Sequence, residues 1–385
     1  MPDRSFLDWP FFEVHHRELA AKLDRWAQAS LVGLDHEDTD ATCRKLVAEL
    51  GAAGWLMHSA VDPDAPGKGL DVRTLCLVRE TLARHDGLAD FAFAMQGLGT
   101  GAVSLFGTEA QRRRWLPEVR AGLAIPAFAL TEPKSGSDVA NIEMTATPDG
   151  ESYVLDGEKT WISNGDIADV YTVFARTGEG PGAKALSAFL VPTGLSGFTI
   201  TERLETIAPH PLARLMFKRC RIPRSALIGV PGQGFRIAMS VLDVFRPTVA
   251  AAALGFARRA LDATLERIKS RHLFGAPMSE LQMVQGHVAD MALDIDAAAL
   301  LIYRAAWVKD SGAPRATREA AMAKLFATDR AQDVIDRAVQ IHGAEGVRKG
   351  SVVEQLYREI RALRIYEGAS DVQRLIIARA VVAGG

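Results

Sequence analysis

Apolar positions keep a helical spacing at both ends of the chain and lose it in the middle. Up to about Leu123 the pattern predicts helices over residues 12–28, 40–50, 72–85 and 109–121. The second opens on an N-cap type of residue, with Gly51 and Gly54 as stop signals. The third carries Leu75, Val78 and Leu82 on one face. In the fourth, Arg112, Arg113 and Arg114 form a solvated polar side. From about Ile125 the runs shorten to 153–155, 170–175, 186–191, 198–200 and 215–217, separated by Gly, Pro, Asn and Asp. Short runs at turn-punctuated spacing predict an all-β sandwich or barrel, and no helical stretch lies between them to make a βαβ series. The helical period returns near Gly234. It predicts helices over 237–271, 279–309, 315–342, 352–361 and 370–382, the long Ala/Leu-rich segments of a bundle. The expected fold class is α+β multidomain: an N-terminal helical domain (1–124), a central β domain (125–228) and a C-terminal helical bundle (229–385).

Composition narrows the function classes. The 385 residues include 45 Lys+Arg and 47 Asp+Glu, a formal net charge of -2, which argues against a general binder of nucleic acid. Hydrophobic residues at 48% and charged residues at 24% fit a globular protein. No apolar run reaches the roughly 18 residues of a membrane span. The best candidate, 291–308, is broken by Asp294, Asp296 and Arg304 and reads as a buried helix face. Cys43, Cys76 and Cys220 are odd in number and form no Cys-x-x-Cys pair, so a reducing compartment is expected. The N-terminus has early acids and no apolar leader, and the expected location is cytoplasmic.

Several patterns point nowhere. Gly97, Gly99 and Ala102 fit a loose dinucleotide fingerprint, but no strand precedes them, and close helix packing or a helix break accounts for the glycines. Gly229 to Gly234 reads as a junction loop. The nine histidines make no metal-ligand pairing, and His15 and His16 read as surface residues. No Gly-x-Ser-x-Gly elbow is present.

Five segments carry chemistry: Phe128 to Val139, with Leu130, Thr131 and Ser137; Glu158 to Gly165, with Trp161, Ile162 and Ser163; Arg271 to Gly275, with Phe274; Gln340 to Ala344, with Gly343; and Tyr366-Glu367-Gly368. Small residues in the first let backbone N–H groups and hydroxyls approach a phosphate or a ring edge, though they also make good turns. Trp161 and Ser163, two apart on an extended run, share a face and suit a flat heterocycle that needs a hydrogen bond. Arg271 can grip two pyrophosphate oxygens at once, or simply favour a helix C-terminus. Asp243 and Arg246 are spaced as an i,i+3 ion pair. Glu367 lies between a helix and Ser370, the expected N-cap of the last helix. A dry cavity would disfavour its carboxylate, and the helix N-terminus would favour it.

In that order and context, the five segments resemble the acyl-CoA dehydrogenase family along essentially the whole chain. The resemblance implies FAD as cofactor, contacted by Phe128, Leu130, Thr131, Ser137, Trp161, Ile162 and Ser163. From a neighbouring subunit it implies Arg271, Phe274, Leu281, Gln282, Gln340, Gly343 and Ala344. Ala369 and Asp371 stand at further cofactor positions. Ser137, Asp243, Arg246 and Gly368 are implied as substrate contacts; for Asp243 and Arg246 the pantetheine role and the plain ion pair remain equal alternatives. Glu367 is implied as the base that takes the α-proton of an acyl-CoA while flavin N5 accepts the β-hydride. Electrons would pass to an electron-transfer flavoprotein. FAD binding across subunits implies a homo-oligomer, a dimer or a homotetramer. Phe245 stands where some relatives carry their base, which leaves Glu367. Metals, nucleic acid and membranes are not expected. Two alternatives keep the fold: an oxygen-using flavin oxidase or monooxygenase, and a non-catalytic flavin-binding protein.

The chain departs from the family pattern at Lys134-Ser135, at 208–212, at Ala344, at Ala369 in place of Thr and at Asp371 in place of Gln. Phe91, Phe93 and Phe245 would reduce room for a long chain, so a short, branched or cyclic acyl group is expected.

Overall fold

Five helices open the chain: α1 (Val14–Ser30), α2 (Thr39–Ala52), α3 (Val72–His85), α4 (Gly87–Phe106) and α5 (Glu109–Arg120). Side chains cap their starts, as three of them show. Asp38 accepts from the Ala41 N–H, Asp71 from the Thr74 N–H, and Thr108 and Gln111 form a reciprocal capping box. Strands follow: β1 (Pro126–Ala129), β2 (Thr145–Asp149), β3 (Ser152–Ser163), β4 (Val170–Arg176), β5 (Leu186–Pro192), β6 (Phe198–Arg203), β7 (Leu212–Pro223) and β8 (Leu227–Ile228). They form one sheet in the order β6-β7-β3-β2-β4-β5-β8, with β1 beside β4. The chain ends in α6 (Gly234–Ser270), a small ribbon of β9 (His272–Leu273) and β10 (Ala276–Pro277), then α7 (Gln282–Asp310), α8 (Thr317–His342), α9 (Val352–Leu363) and α10 (Ser370–Val382). The computed structural model describes residues 4–65, 67–313 and 315–384.

Contacts divide the chain into two units. One holds Met1–Val32, Asp71–Asp90 and Asp243–Gly385; the other holds Gly33–Leu70 and Phe91–Leu242. In the first, α7 and α8 pack along their lengths, and α9 and α10 lie against α8. Tyr303, fully buried, stacks on Phe6 (centroids 5.8 Å apart) and meets Phe12 edge-on (4.6 Å). Its hydroxyl donates to Glu80, which also pairs with Arg258 at 2.7 Å. In the second unit the sheet's inner faces make the core. β4 and β5 are buried almost throughout, with mostly apolar runs that include Thr172 and Ser187.

The structure decides four expectations. First, of the two readings of the glycines at 97, 99 and 101, close packing holds: α4 runs continuously through them, and a Cβ on Gly99 would lie 2.7 Å from Pro126. Second, His16 is buried. Its Nδ1 accepts the Glu13 N–H at the start of α1, and its Nε2 faces Asp71 at 3.1 Å. Third, the N-cap of α10 is Ala369, because the Ser370 hydroxyl is spent on Asp329 (2.9 Å). Fourth, α6 rather than 291–308 is long and apolar enough to cross a membrane, with mean hydropathy 1.5 in its most apolar stretch, yet 83% of that stretch is buried in the protein. The strands β1, β2 and β8 escape the periodicity because β1 is short and opens on Pro126, β2 faces solvent at four of five positions, and β8 has two residues.

Candidate active site

Glu367 belongs to the short connection between α9 and α10. It adopts φ 52°, and Gly368 follows at φ 94°. Glycine takes this conformation freely, but a left-handed glutamate is costly unless the surroundings hold it. Here both carbonyls are held. The Gly368 carbonyl accepts from Lys324 Nζ and from Gln373 Nε2, each at 2.8 Å. The Glu367 carbonyl accepts from Arg246 Nε and Gln373 Nε2, each at 3.4 Å. Asp329 on α8 gathers Arg364, Ser370 and Arg374 from both sides of the connection. Trp161 and Phe274 are also left-handed (58° and 54°), so three of the five such non-glycine residues among the described residues are ones the sequence singled out.

The Glu367 carboxylate is surrounded by charge but not fully bonded. Its Oε2 is enclosed and has no hydrogen-bond partner among the described residues. Burial raises its pKa, and the positive charges of Arg79, Lys324 and Arg246 oppose that rise, in that order. Arg79 is itself held in a two-bonded pair with Asp90 (2.8 and 2.7 Å) and donates to Thr248 at 3.1 Å. Arg246 pairs with Asp243 at 3.2 Å, and Asp243 accepts from Thr317 on α8 at 2.7 Å. Burial pushes the Arg246 pKa down, with Asp243 and Glu367 resisting. Asp243, Arg246, Glu367 and Gly368 are therefore brought together. The i,i+3 pair exists, and Arg246 also steadies the Glu367 peptide.

The second unit places the other segments. Phe128 lies in β1 beside Phe174 (5.0 Å), and Leu130 is buried. Thr131, Ser137 and Ser163 keep their hydroxyls unbonded among the described residues, and Ser137 is exposed. Trp161 sits at a register shift between β3 and β7 and is 56% exposed, whereas Ile162 beside it is buried. Below the loop lies an enclosed ion pair. Lys159 Nζ donates to Glu132 Oε1 (2.8 Å) and to the Leu130 carbonyl (3.1 Å), and Glu132 accepts the backbone N–H groups of Glu143 and Met144 (3.1 Å to the latter). Burial pushes the Lys159 pKa down to about 8 against the pull of Glu132.

The remaining residues face outward. Arg271 follows α6, Phe274 at the β9–β10 turn is 95% exposed, and Leu281 and Gln282 start α7. Gln340, Gly343 and Ala344 are exposed at the end of α8. Asp371 is exposed and pairs with Arg374 at 3.0 Å.

Sequence models of three acyl-CoA dehydrogenase domains match this chain: the N-terminal domain over residues 13–122, the middle domain over 127–220 and the C-terminal domain over 232–382. The chain belongs to the acyl-CoA dehydrogenase family. It is 40% identical over 355 residues to the mitochondrial short-chain specific acyl-CoA dehydrogenase of Bos taurus, covering 91% of this chain and 84% of that protein. Among solved structures, butyryl-CoA dehydrogenase from Megasphaera elsdenii superposes with a TM-score of 0.90 at 32% identity, covering 96% of this chain and 99% of that one. A chain from work on the electron transferring flavoprotein of Acidaminococcus fermentans superposes with a TM-score of 0.90 at 35% identity, covering 96% and 98%.

Acyl-CoA dehydrogenases are FAD-dependent oxidoreductases, and the second unit fits that cofactor. It offers an exposed indole, three unbonded hydroxyls and a glycine-serine loop braced from beneath. Leu130 and Ile162 are buried, so contact from them would come through the main chain. Sequence reasoning missed the groups that hold the site: Arg79, Lys324, Gln373 and the Lys159–Glu132 pair. Lys324 carried one legible signal, a lysine flanked by Ala320, Ala321, Ala323 and Ala327 on the buried side of its helix.

Proposed function

We propose that this dehydrogenase converts an acyl-CoA thioester to the 2-enoyl-CoA, with Glu367 taking the α-proton. The observation that carries this reading is the enclosed, unpartnered Oε2 on a left-handed residue ringed by three cations. A base needs a free lone pair, a fixed direction and a pKa brought toward working pH, and all three are present. Gly368 lies beside it as a substrate contact, and Asp243 and Arg246 are proposed to meet the pantetheine arm. Thr131, Ser137 and Ser163 would hold the cofactor through their hydroxyls, Ser137 would also meet the thioester, and Trp161, Phe128, Leu130 and Ile162 would complete the cofactor's site. Ala369 and Asp371 complete the set. Bound FAD supplies the hydride acceptor for the β-carbon. The functional divisions are taken as 1–124, 125–228 and 229–385.

Arg271, Phe274, Leu281, Gln282, Gln340, Gly343 and Ala344 are assigned to the cofactor of a neighbouring copy, since their outward placement suits a second chain. A homotetramer or dimer is further supported by α7, whose Leu293, Leu300 and Trp307 recur every seven residues on an exposed stripe (69%, 48% and 44% exposed). An electron-transfer flavoprotein is the proposed acceptor, and three buried free cysteines support a reducing compartment, taken as the cytoplasm. The substrate is read as short-chain. Phe93 and Phe245 are enclosed, and Phe91 is half-exposed with its ring against His210 (4.5 Å). The test is anaerobic reduction by a series of thioesters. Fastest flavin bleaching by butyryl-length chains is expected; preference for palmitoyl length overturns the substrate reading.

A further inference from the structure

Lys324 is buried in the middle of α8, where a core-facing position ordinarily takes an apolar residue. Small neighbours leave room for its stem. An ammonium has three donors; one reaches the Gly368 carbonyl, and the others find no acceptor among the described residues. The charge is therefore enclosed without a bonded carboxylate, beside the residue read above as the base. We propose that Lys324 is a positioning residue for Glu367: it pins the left-handed Glu367–Gly368 peptide, and its positive charge favours the ionised carboxylate.

The groups facing this pair are Arg79 on α3, Asp90 on α4, Asp243 and Arg246 on α6, Asp329 on α8, Glu359 on α9, and Arg364 and Tyr366 beside the base. Of the cations among them, the arginines stay charged throughout the working range. Lys324 does not, because burial pushes its pKa down to about 8 despite Glu367. Losing that proton removes a charge that favours the Glu367 carboxylate and loosens the grip on its peptide. Turnover is therefore expected to decline as Lys324 loses its proton.

The inference rests on Glu367 as the base, and the test separates the two. Single-turnover flavin reduction by butyryl-CoA is followed from about pH 5 to about pH 10 in the wild type, Lys324→Met, Lys324→Arg and Glu367→Gln. In Lys324→Met the acid limb should move up by about one pH unit and the alkaline limb should vanish, with thioester affinity within about twofold of wild type. Lys324→Arg, whose charge does not titrate here, should keep the wild-type acid limb and lose the alkaline one. Infrared difference titration of the substrate-free protein, with Glu367→Gln identifying the carboxyl band, should show Glu367 protonated to higher pH in Lys324→Met. An unmoved acid limb in Lys324→Met, or an alkaline limb that persists in Lys324→Arg, overturns the proposal. The arginine variant decides alone if the methionine variant does not fold. Flavin reduction surviving in Glu367→Gln would instead remove the base reading.

Discussion

Replacing Lys159 with methionine removes one half of an enclosed ion pair beneath the loop proposed to meet the cofactor. Lys159 is 0% exposed and Glu132 is 5% exposed, with 2.8 Å between them. Removing one partner of a buried pair costs about 3–5 kcal/mol, because the other charge stays behind without compensation. Glu132 keeps two backbone N–H donors, which points to the lower end, about 3 kcal/mol. Adding Glu132→Gln removes the stranded charge while its amide oxygen still accepts a backbone N–H, so the double variant should recover about 1–3 kcal/mol. Denaturant unfolding of all four proteins at neutral pH gives the cycle. A single variant within about 1 kcal/mol of wild type, or strict additivity in the cycle, refutes the reasoning.

Gly368→Ala places a Cβ 2.5 Å from Gln373 Nε2 at φ 94°; strain of about 1–2 kcal/mol or more should slow flavin reduction at least about tenfold with little change in thioester affinity, measured by stopped flow. Because burial raises the Glu367 pKa above 4.5 and the base works only when ionised, the rate should fall, as pH drops, with a midpoint above 4.5; a midpoint at or below it contradicts the electrostatic account. Leu300→Glu puts a charge on the exposed stripe of α7 and should reduce the mass seen by sedimentation and the fraction of bound FAD together.

Long elements were legible because their apolar period repeats many times. The helices α6, α7 and α8 and the strands β4 and β5 are where the pattern places them. Glycine spacing hid the length of α4, since a glycine that makes room for Pro126 reads locally like a break. Candidate site residues could be named from the sequence where the pattern is local, as in the Trp161 to Ser163 run or Tyr366 to Gly368. The supporting shell could not be. Arg79, Lys324 and Gln373 reach Glu367 from three different helices, and no spacing along the chain ties them to position 367. The pKa argument for Glu367 changed for the same reason. The sequence offered a helix N-terminus as the opposing influence, whereas the folded chain supplies three side-chain cations. His16 shows the converse error. A polar residue beside an exposed one looked like surface until its ring was found satisfying two helix starts.

The most direct test of the central claim is anaerobic titration of Glu367→Gln, loaded with FAD, with butyryl-CoA. The account predicts that the thioester binds with near wild-type affinity while flavin bleaching falls by at least about 10³-fold. Bleaching at the wild-type rate would contradict Glu367 as the base.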